Sequence, residues 1–386
     1  MWPITDRLAA SLAASNHDVV NRLDILIDGV QALTVEGKTV VDPVSGADVS
    51  LVDGSVDVDR AVVRRRVTLS IADASDILRP SQVGDLLLPL RSEVRPWRGL
   101  LHSDRTTEVA PDDRELAPLG TLVVTKVVAA WPRLTVTGYD RMWLLNRFRF
   151  TAPYTIPKGA TVTDAIVQLL TNKMPANRLQ MSIPDLPYTT GLVVWDEQDA
   201  PADKANDLAE AAGLALYADP MGVIVARPEP TVDDDTVWSY VEGPGSMLMP
   251  WPSEELSGED AENAVVVTGE PQDGSAPVRG YAENTNPDSA LYAASAGVIP
   301  RFFSSPLITT AGQANLAAAT IQAKLGLADT VLLSAVVHPA LESGDVVYVQ
   351  ATHPTGLALK LIVDSFPVPL RGAGPQDLVT RSRILQ

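Results

Sequence analysis

Cysteine is absent from the 386 residues, and so is any apolar run of about 18 residues. Without cysteine the chain cannot form disulfides or thiolate-ligated zinc and iron–sulfur sites, which fits assembly in a reducing cytoplasm. Without the apolar run we expect no membrane-spanning segment. The opening residues, Met1–Arg7, lack the basic and apolar stretches of a secretory signal, so none is predicted.

Recognisable catalytic chemistry is also missing. The four histidines (His17, His102, His338 and His353) are scattered, and no two have His-x-His or His-x₃-His spacing. Neither a Gly-x-Ser-x-Gly elbow nor a paired-glycine dinucleotide fingerprint occurs. The sequence therefore predicts no catalytic residue, no metal site and no cofactor, and it favours a structural or interaction protein over an enzyme.

One segment matches a relaxed phosphate-loop pattern and is rejected. It is residues 32–39 (ALTVEGKT), but such a loop works only when its Lys-Thr pair opens a helix. Pro43 follows closely and prevents early helix growth, so we interpret Glu36 and Gly37 as the turn of a β-hairpin. The acidic run Asp233–Asp235 lacks the spaced ligands of a calcium loop and is interpreted as a solvated charge run.

The formal net charge is −18, and it is unevenly distributed. Residues 187–297 hold 21 Asp or Glu against three basic residues, whereas residues 60–149 hold 15 basic and 10 acidic residues. The acidic excess argues against a nucleic-acid-binding protein, which needs a basic surface. Such an asymmetry bears on partners and self-assembly rather than on the fold.

Short strand-like runs separated by turn residues dominate the chain. They lie at Leu23–Ile27, Val56–Ile71, Leu119–Val128, Leu134–Gly138, Val223–Ala226, Val265–Thr268, Val346–Gln350 and Leu359–Val363. Helices are predicted at residues 5–15, 161–170, 201–212 and 311–325. Thr161 and Thr310 are the expected caps of the second and fourth helices, and Asp199 of the third. The sequence thus predicts a mainly β protein with an α+β insert.

The changes of pattern divide the chain into five segments. They are an N-terminal helix (1–16), a first β unit (17–150), a small α+β domain (151–230), an acidic loop-rich connection that starts the second β unit (231–300), and the second β unit (301–386).

Three consecutive arginines in the first β unit are the candidate site. Strand alternation puts Arg64 and Arg66 on one face and Arg65 on the other. Two interpretations stay open. The arginines could form a solvated edge that blocks stray strand pairing, or they could form an ion-pair site between subunits.

Several short motifs, in their order along the chain, resemble one known family. They include Met1–Arg7 (MWPITDR), Val136–Arg141 (VTGYDR), Ala209–Leu214 (AEAAGL), Asn263–Glu270 (NAVVVTGE), Phe303–Thr310 (FSSPLITT) and Pro339–Val347 (PALESGDVV). Together they resemble minor tail proteins of actinobacterial phages, similar to the phage baseplate or tail-tip hub family.

That resemblance implies two tube-like β-barrel domains, one for each β unit, and a homotrimeric ring. Such a ring joins the distal tail protein and sixfold tail tube to threefold tip components, and DNA passes through it. The tape measure protein and tip or receptor-binding proteins are further implied partners. The implied location is the virion tail tip, with assembly in the host cytoplasm. Some relatives carry a C-terminal peptidoglycan hydrolase, which we do not expect here because the chain stops at Gln386.

Two hypotheses and two alternatives accompany this interpretation. The basic residues 60–149 and the acidic residues 187–297 could supply the complementary surfaces of a ring. Acidic residues are expected to line a DNA passage, with basic ones paired or outside it. One alternative is a receptor- or glycan-binding tail protein, with Trp195, Trp238 and Trp251 as the aromatic candidates. The other is a cell-wall hydrolase.

Overall fold

A computed structural model describes most of the chain. The described residues are 1–14, 18–36, 40–41, 48–102, 113–172, 174, 178–186, 189–190, 192–243, 246–249, 252–259, 261–269, 276–305, 308, 310–322, 325, 328–353, 356–372 and 374–382. His17, Pro43, Trp251 and residues 37–39 of the rejected phosphate loop lie outside these ranges.

Short strands outnumber helices in both halves of the chain. The first half contains α1 Asp6–Leu12, β1 Val19–Ile27, β2 Val30–Glu36, β3 Val40–Val41, β4 Asp48–Val58, β5 Arg65–Asp73, β6 Ser92–Leu101, β7 Arg114–Pro118, β8 Leu122–Ala130, β9 Arg133–Asp140, α2 Arg141–Leu145, β10 Tyr154–Ile156, α3 Val162–Thr171, β11 Gln180–Ser182 and β12 Val193–Trp195. The second half contains α4 Pro201–Ala211, β13 Leu214–Ala218, β14 Val223–Pro228, β15 Trp238–Val241, β16 Ser253–Ser257, β17 Ala264–Gly269, β18 Val278–Glu283, α5 Ala293–Ala296, β19 Pro300–Ser305, α6 Ala311–Gln322, β20 Ala328–Ala335, β21 Val346–Ala351, β22 Leu357–Pro369 and β23 Gln376–Arg381.

One large sheet runs through both β units. Its main path is β16-β20-β23-β22-β4-β5-β9-β8-β6-β1-β2. The units join where β22 pairs antiparallel with β4, through residues 366–369 against residues 55–58. Both units bury their apolar side chains in one hydrophobic cluster, which contains Leu69 from β5 and Val331 from β20. The predicted fold class, mainly β with an α+β insert, is confirmed, and the closure of each unit into a barrel stays a prediction.

The insert has a hydrophobic cluster of its own. Helices α3 and α4 pack together and contribute Ile166, Leu169 and Leu208, while strands β13 and β14 contribute Leu216 and Ile224. A third, smaller cluster lies where α6 covers one face of the β18-β17-β19 sheet.

Most local signals are confirmed, and one is wrong. The Thr161 hydroxyl accepts from Asp164 N at 3.0 Å, and Thr310 and Gln313 cap each other reciprocally at 3.1 and 3.3 Å. Asp199 does not cap α4. The N-cap is Ala200, without a side-chain bond, and the Asp199 carboxylate accepts from Asp196 N instead. Pro201 at the first helical turn starts α4 without a cap because its missing N–H needs no acceptor.

Candidate functional site: an open sheet face and a buried polar junction

The large sheet presents one open face across both β units. Along each strand of the path from β16 to β8, the side chains that point to the other face fill the shared core, for example Val331, Phe366, Val67 and Val136. Most of the residues between them are exposed or half-buried, as expected for a sheet covered on one side, although Ile362 and Val123 are buried on this side. Because β22 pairs with β4, the open face continues from the second unit into the first without a break.

The open face carries the exposed apolar residues Leu332, Val379 and Val128 together with many hydroxyl side chains. The hydroxyl residues are Ser253, Thr330, Ser334, Ser365, Ser55, Thr68, Ser70, Thr135 and Thr137. The charged side chains are balanced between acidic Glu255, Asp377, Asp53 and Asp57 and basic Arg381, Arg66, Arg133 and Lys126. In the middle of the face Arg66 lies directly opposite Asp57, and the Arg381 Nε is 3.3 Å from an Asp364 carboxylate oxygen. The face is therefore close to neutral rather than acidic.

Arg64 and Arg65 lie inside the chain, at a junction of three parts. The Arg65 guanidinium donates to Ala218 O in the insert at 2.7 Å and forms an ion pair with Glu342 of the second β unit. The Arg64 guanidinium carbon lies 3.3 Å from the Tyr217 ring centroid, and its Nη1 donates to Ser343 O at 3.2 Å. The two arginines thus fasten the first unit to both the insert and the second unit.

Asp140 organises the backbone beneath these arginines. Its carboxylate accepts from Arg64 N at 2.6 Å, from Arg65 N at 3.0 Å and from Met142 N at 3.0 Å, and it also caps α2. Burial raises the pKa of Asp140 to about 6, against the opposing effect of these N–H donors and of the Arg65 charge. Burial likewise raises the pKa of Glu342 and lowers that of Arg64.

A second buried ion cluster fastens the insert to the first β unit. Arg141 contacts both carboxylate oxygens of Glu93, at 3.1 and 2.9 Å, and donates to Gly222 O at 2.8 Å. Arg178 of the insert adds a contact to Glu93 at 3.3 Å and a bond to Leu90 O at 2.9 Å. Gly222 has φ +81°, and a Cβ there would lie 2.9 Å from Thr121 Cβ, so the close approach requires glycine.

The structure separates the three candidate arginines. Arg64 precedes β5 and is buried, so the predicted sharing of one face by Arg64 and Arg66 is wrong. Strand alternation begins only at Arg65. Arg66 is exposed on the open face, with its guanidinium carbon 5.8 Å from the Tyr139 ring centroid. A contact between subunits through this triplet stays a prediction, and it concerns Arg66 because the other two have partners within the chain.

Of the three aromatic candidates for a receptor site, one is buried and one is half-buried. Trp195 is 8% exposed and stacks on Phe150 at 6.3 Å between ring centroids. Trp238 is half-buried and meets His338 edge-on at 4.6 Å. Trp131, at the turn between β8 and β9, is 76% exposed, and sequence reasoning missed it. Its position beside Pro132 between two alternating runs was the available signal.

A cavity of about 360 Å³ borders the Arg64 junction, with Tyr217, Glu342 and Asp345 among its lining residues. Its lining mixes both signs of charge. Within the described ranges, no group of three His, Asp or Glu side chains is placed to hold a metal ion. No helix in that part of the chain is long and apolar enough to cross a membrane.

Comparison with known proteins identifies the fold through solved structures alone. No protein-family model and no curated protein matches the chain. A 43 kDa tail protein of prophage MuSo2 from Shewanella oneidensis is similar over 94% of this chain and 98% of its own, with TM-score 0.60 and 10% identity. A tail protein from Neisseria meningitidis MC58 gives TM-score 0.59 and 14% identity over 94% and 96% of the two chains. Prophage tail protein gp18 from Listeria monocytogenes EGD-e gives 0.52 and 10% over 95% of each. The chain therefore has a fold shared with phage tail proteins.

Proposed function

We propose that this chain is a structural protein of a phage tail, the hub of the tail tip or baseplate. Three copies form a ring that joins the sixfold tail tube and distal tail protein to threefold tip components and lets DNA pass. The tape measure protein and tip or receptor-binding proteins are its other partners. It belongs to the minor tail proteins of actinobacterial phages and acts at the virion tail tip after assembly in the host cytoplasm.

The observation that carries this proposal is the continuous open face. A chain that joins two β units edge to edge through β22 and β4 presents the open faces of both units side by side. Three such chains supply six units, which is the number needed to match a sixfold tube from a threefold ring. The fold shared with tail proteins over nearly the whole length of both chains supports the same class.

The chemistry of the open face suits a passage for DNA. A polyanion is retained by unpaired basic side chains, each of which releases counterions when it binds a phosphate. On this face hydroxyl groups are numerous, and the arginines near its centre lie beside carboxylates. We propose that this face lines the passage, which is then near-neutral rather than acidic. Lys126 and Arg133 sit at its β8 end, away from the centre.

The decisive experiment is to image the purified chain. Size-exclusion chromatography with light scattering should give the mass of three chains, and negative-stain class averages should show a hollow threefold ring. A monomer at every accessible concentration, or a compact particle without a channel, would contradict the hub.

The two alternatives gain no specific support from the described residues. Trp195 lies in the core of the insert, and Trp238 is half-buried and packs against His338. Among the tryptophans that the structure describes, Trp131 is the most exposed. The buried ion clusters connect parts of the chain to one another. The cavity beside the Arg64 junction is lined in part by charged groups that already have partners within the chain, since Glu342 pairs with Arg65 and Asp345 with the Met1 amino group. Zymography on host peptidoglycan tests the hydrolase directly, and clearing by the purified chain would revive it.

A further inference from the structure

The open face ends at two strand edges that pair with nothing among the described residues. At one end, β16 pairs with β20 on one side only. At the other end, β8 pairs with β9 along its whole length but with β6 only at Leu122 and Val123. The outer edge of β8 from Thr125 to Ala130 is therefore free. Exposed edges of this kind are templates for pairing with another chain.

Natural proteins protect free edges with proline, bulges or inward-pointing charges. Here β8 has a bulge near the start of its free edge, and Glu254 of β16 lies opposite the buried Val331 on the core side, but neither device covers the exposed apolar side chains of the two edges. Neither segment contains proline, and each carries exposed apolar side chains. Leu256 of β16 is 57% exposed and Val128 of β8 is 46% exposed. The bulge in β8 lies between Val124 and Lys126, ahead of most of the free edge.

The two edges carry opposite charge. Strand β16 has Glu254 and Glu255 and no basic residue. The free part of β8 has Lys126, the turn that follows is next to Arg133, and no acidic residue lies between Thr125 and Tyr139. A negative strand and a positive strand at the two ends of one surface favour head-to-tail pairing and disfavour like with like.

We propose that β16 of one copy pairs with the outer edge of β8 in the next copy, so that the open face continues from subunit to subunit. This inference rests on the proposed ring and names its subunit contact. This pairing between copies is analogous to the pairing of β22 with β4 within one chain. There, four residues from each strand join the two β units. A contact in which one patch meets a different patch closes into a ring when the rotation allows it.

Strand direction follows from the topology. Every step from β8 through β9, β5, β4, β22, β23 and β20 to β16 is antiparallel, which is seven steps, so β8 and β16 run in opposite directions. Rotation about an axis along the passage preserves each strand's direction. The β16–β8 pair between copies is therefore antiparallel.

Side-chain alternation restricts the register to every second pairing, and the exposed Leu256 selects one of these. Glu255 and Val128 belong to the open face, whereas Leu256 and Val127 point to the core side, where Val127 already packs against the shared cluster. Placing Glu255 opposite Val128 puts Leu256 opposite Val127, which covers an exposed leucine. In this register Glu255 is diagonal to Lys126, within reach of a long side chain.

The absence of native cysteine allows a direct crosslinking test. Val128→Cys and Glu255→Cys are made as separate full-length proteins, mixed, and oxidised with copper phenanthroline. Directly opposed antiparallel residues have Cα atoms about 4.5 to 5.5 Å apart, which is within the Cα range that a disulfide spans. A disulfide-linked dimer on a non-reducing gel is expected. Val83→Cys, at a loop position that is 78% exposed, mixed with Glu255→Cys is the matched control and should remain uncrosslinked.

Charge exchange gives a second readout. Lys126→Glu and Glu255→Lys should each weaken association about fivefold per contact, and the double exchange should restore most of it. If the cysteine pair crosslinks but the double charge exchange does not restore association, the strand contact stands and the Lys126–Glu255 ion pair is wrong.

The outcomes separate this contact from the ring itself. Threefold rings without the 128–255 crosslink would overturn the contact and leave the hub standing. A specific 128–255 crosslink in particles that are not closed rings would support the contact and overturn the hub. Monomers without crosslink would overturn both.

Discussion

At the scale of single residues, Arg65 and Arg66 are neighbours in sequence but differ in surroundings. Arg65 is 2% exposed and paired with Glu342, whereas Arg66 lies exposed on the open face. Arg65→Met leaves the Glu342 carboxylate in a largely desolvated place without its cation, and we expect a loss of about 3 kcal/mol or more in the free energy of unfolding. Arg66→Met should change it by less than about 0.5 kcal/mol. Urea unfolding of both variants measures the difference, and equal losses would contradict the assigned burial.

The same contrast decides how the arginine triplet can be tested as an interface. Reversal of all three to Glu would remove the contacts of Arg64 with Tyr217 and of Arg65 with Ala218 that hold the insert, so loss of assembly would report misfolding. Arg66→Glu alone leaves those contacts in place and tests whether this position reaches another subunit.

His338 makes a pH-dependent contribution to the free energy of unfolding, and the sign of that contribution is defined. It is fully buried, both ring nitrogens lack a hydrogen-bond partner among the described residues, and burial lowers its pKa to about 4. Because the unfolded chain takes up the proton near pH 6.5, the unfolded state binds more protons between the two values. The stability that the neutral His338 contributes is therefore fully present above pH 6.5. As the pH falls from 6.5 through 4, about 3 kcal/mol of unfolding free energy is lost.

Comparison with His338→Leu isolates this term from the others. Asp140 and Asp364, whose pKa values burial raises to about 6, act in the opposite direction, since their protonation stabilises the folded state as pH falls. The wild type should therefore lose stability relative to His338→Leu between pH 7 and 4. A constant difference in urea midpoints over that range would contradict the burial of a neutral imidazole.

Sequence reasoning at this scale finds local contacts and misses distant ones. The caps of α3 and α6 were predictable because donor and acceptor lie three residues apart. The partners of Arg65, at Ala218 and Glu342, lie 153 and 277 residues away. Nothing in the alternation around Arg65 indicates that an inserted domain covers one end of its strand.

At the scale of elements, strand alternation is the main determinant of the sheet. In β5 the burial alternates along the strand, with Val67, Leu69 and Ile71 in the shared core and Thr68 on the open face. Leu69→Ala should cost about 3 kcal/mol of unfolding free energy, since it removes buried methyl groups from a packed cluster. Thr68→Ala, one residue away, should cost less than about 0.5 kcal/mol. Thermal and urea unfolding of the pair measure this, and similar losses would mean that both faces are covered.

Elements that break the alternation rule were the ones missed. Strand β6 contains Pro96, which cannot donate a ladder hydrogen bond and argues against a strand in the interior of a sheet. In the structure the Pro96 carbonyl accepts from Leu119 N at 2.9 Å, while the strand pairs with β1 along its length. The Pro96 carbonyl therefore takes part in a backbone hydrogen bond. Strand propensity did not predict β6 because proline has no N–H to donate to a neighbouring strand.

At the scale of the whole molecule, the order of strands was not predictable from sequence. The link that makes the open face continuous, β22 with β4, joins residues more than 300 positions apart and leaves no periodic signal. The turns and the alternation of the sequence predict two β units. Their shared core, and the edges left free at β8 and β16, follow only from the pairing.

The near-neutral character of the open face leads to the last prediction. If this face lines the passage, two added charges per subunit become six around one channel, where a duplex meets all of them together. Thr68→Arg with Thr137→Arg places both charges on directly opposed positions of β5 and β9. Asn315→Arg with Ala319→Arg adds the same charge on the exposed side of α6, away from the sheet face. Because each phosphate neutralised releases counterions, assembled rings of the first variant should retain short duplex DNA with micromolar affinity at about 50 mM salt and lose it as salt rises. The wild type and the α6 variant should retain much less. Filter binding over a salt series measures the slopes, and equal retention by the two variants would place the passage elsewhere than on this face.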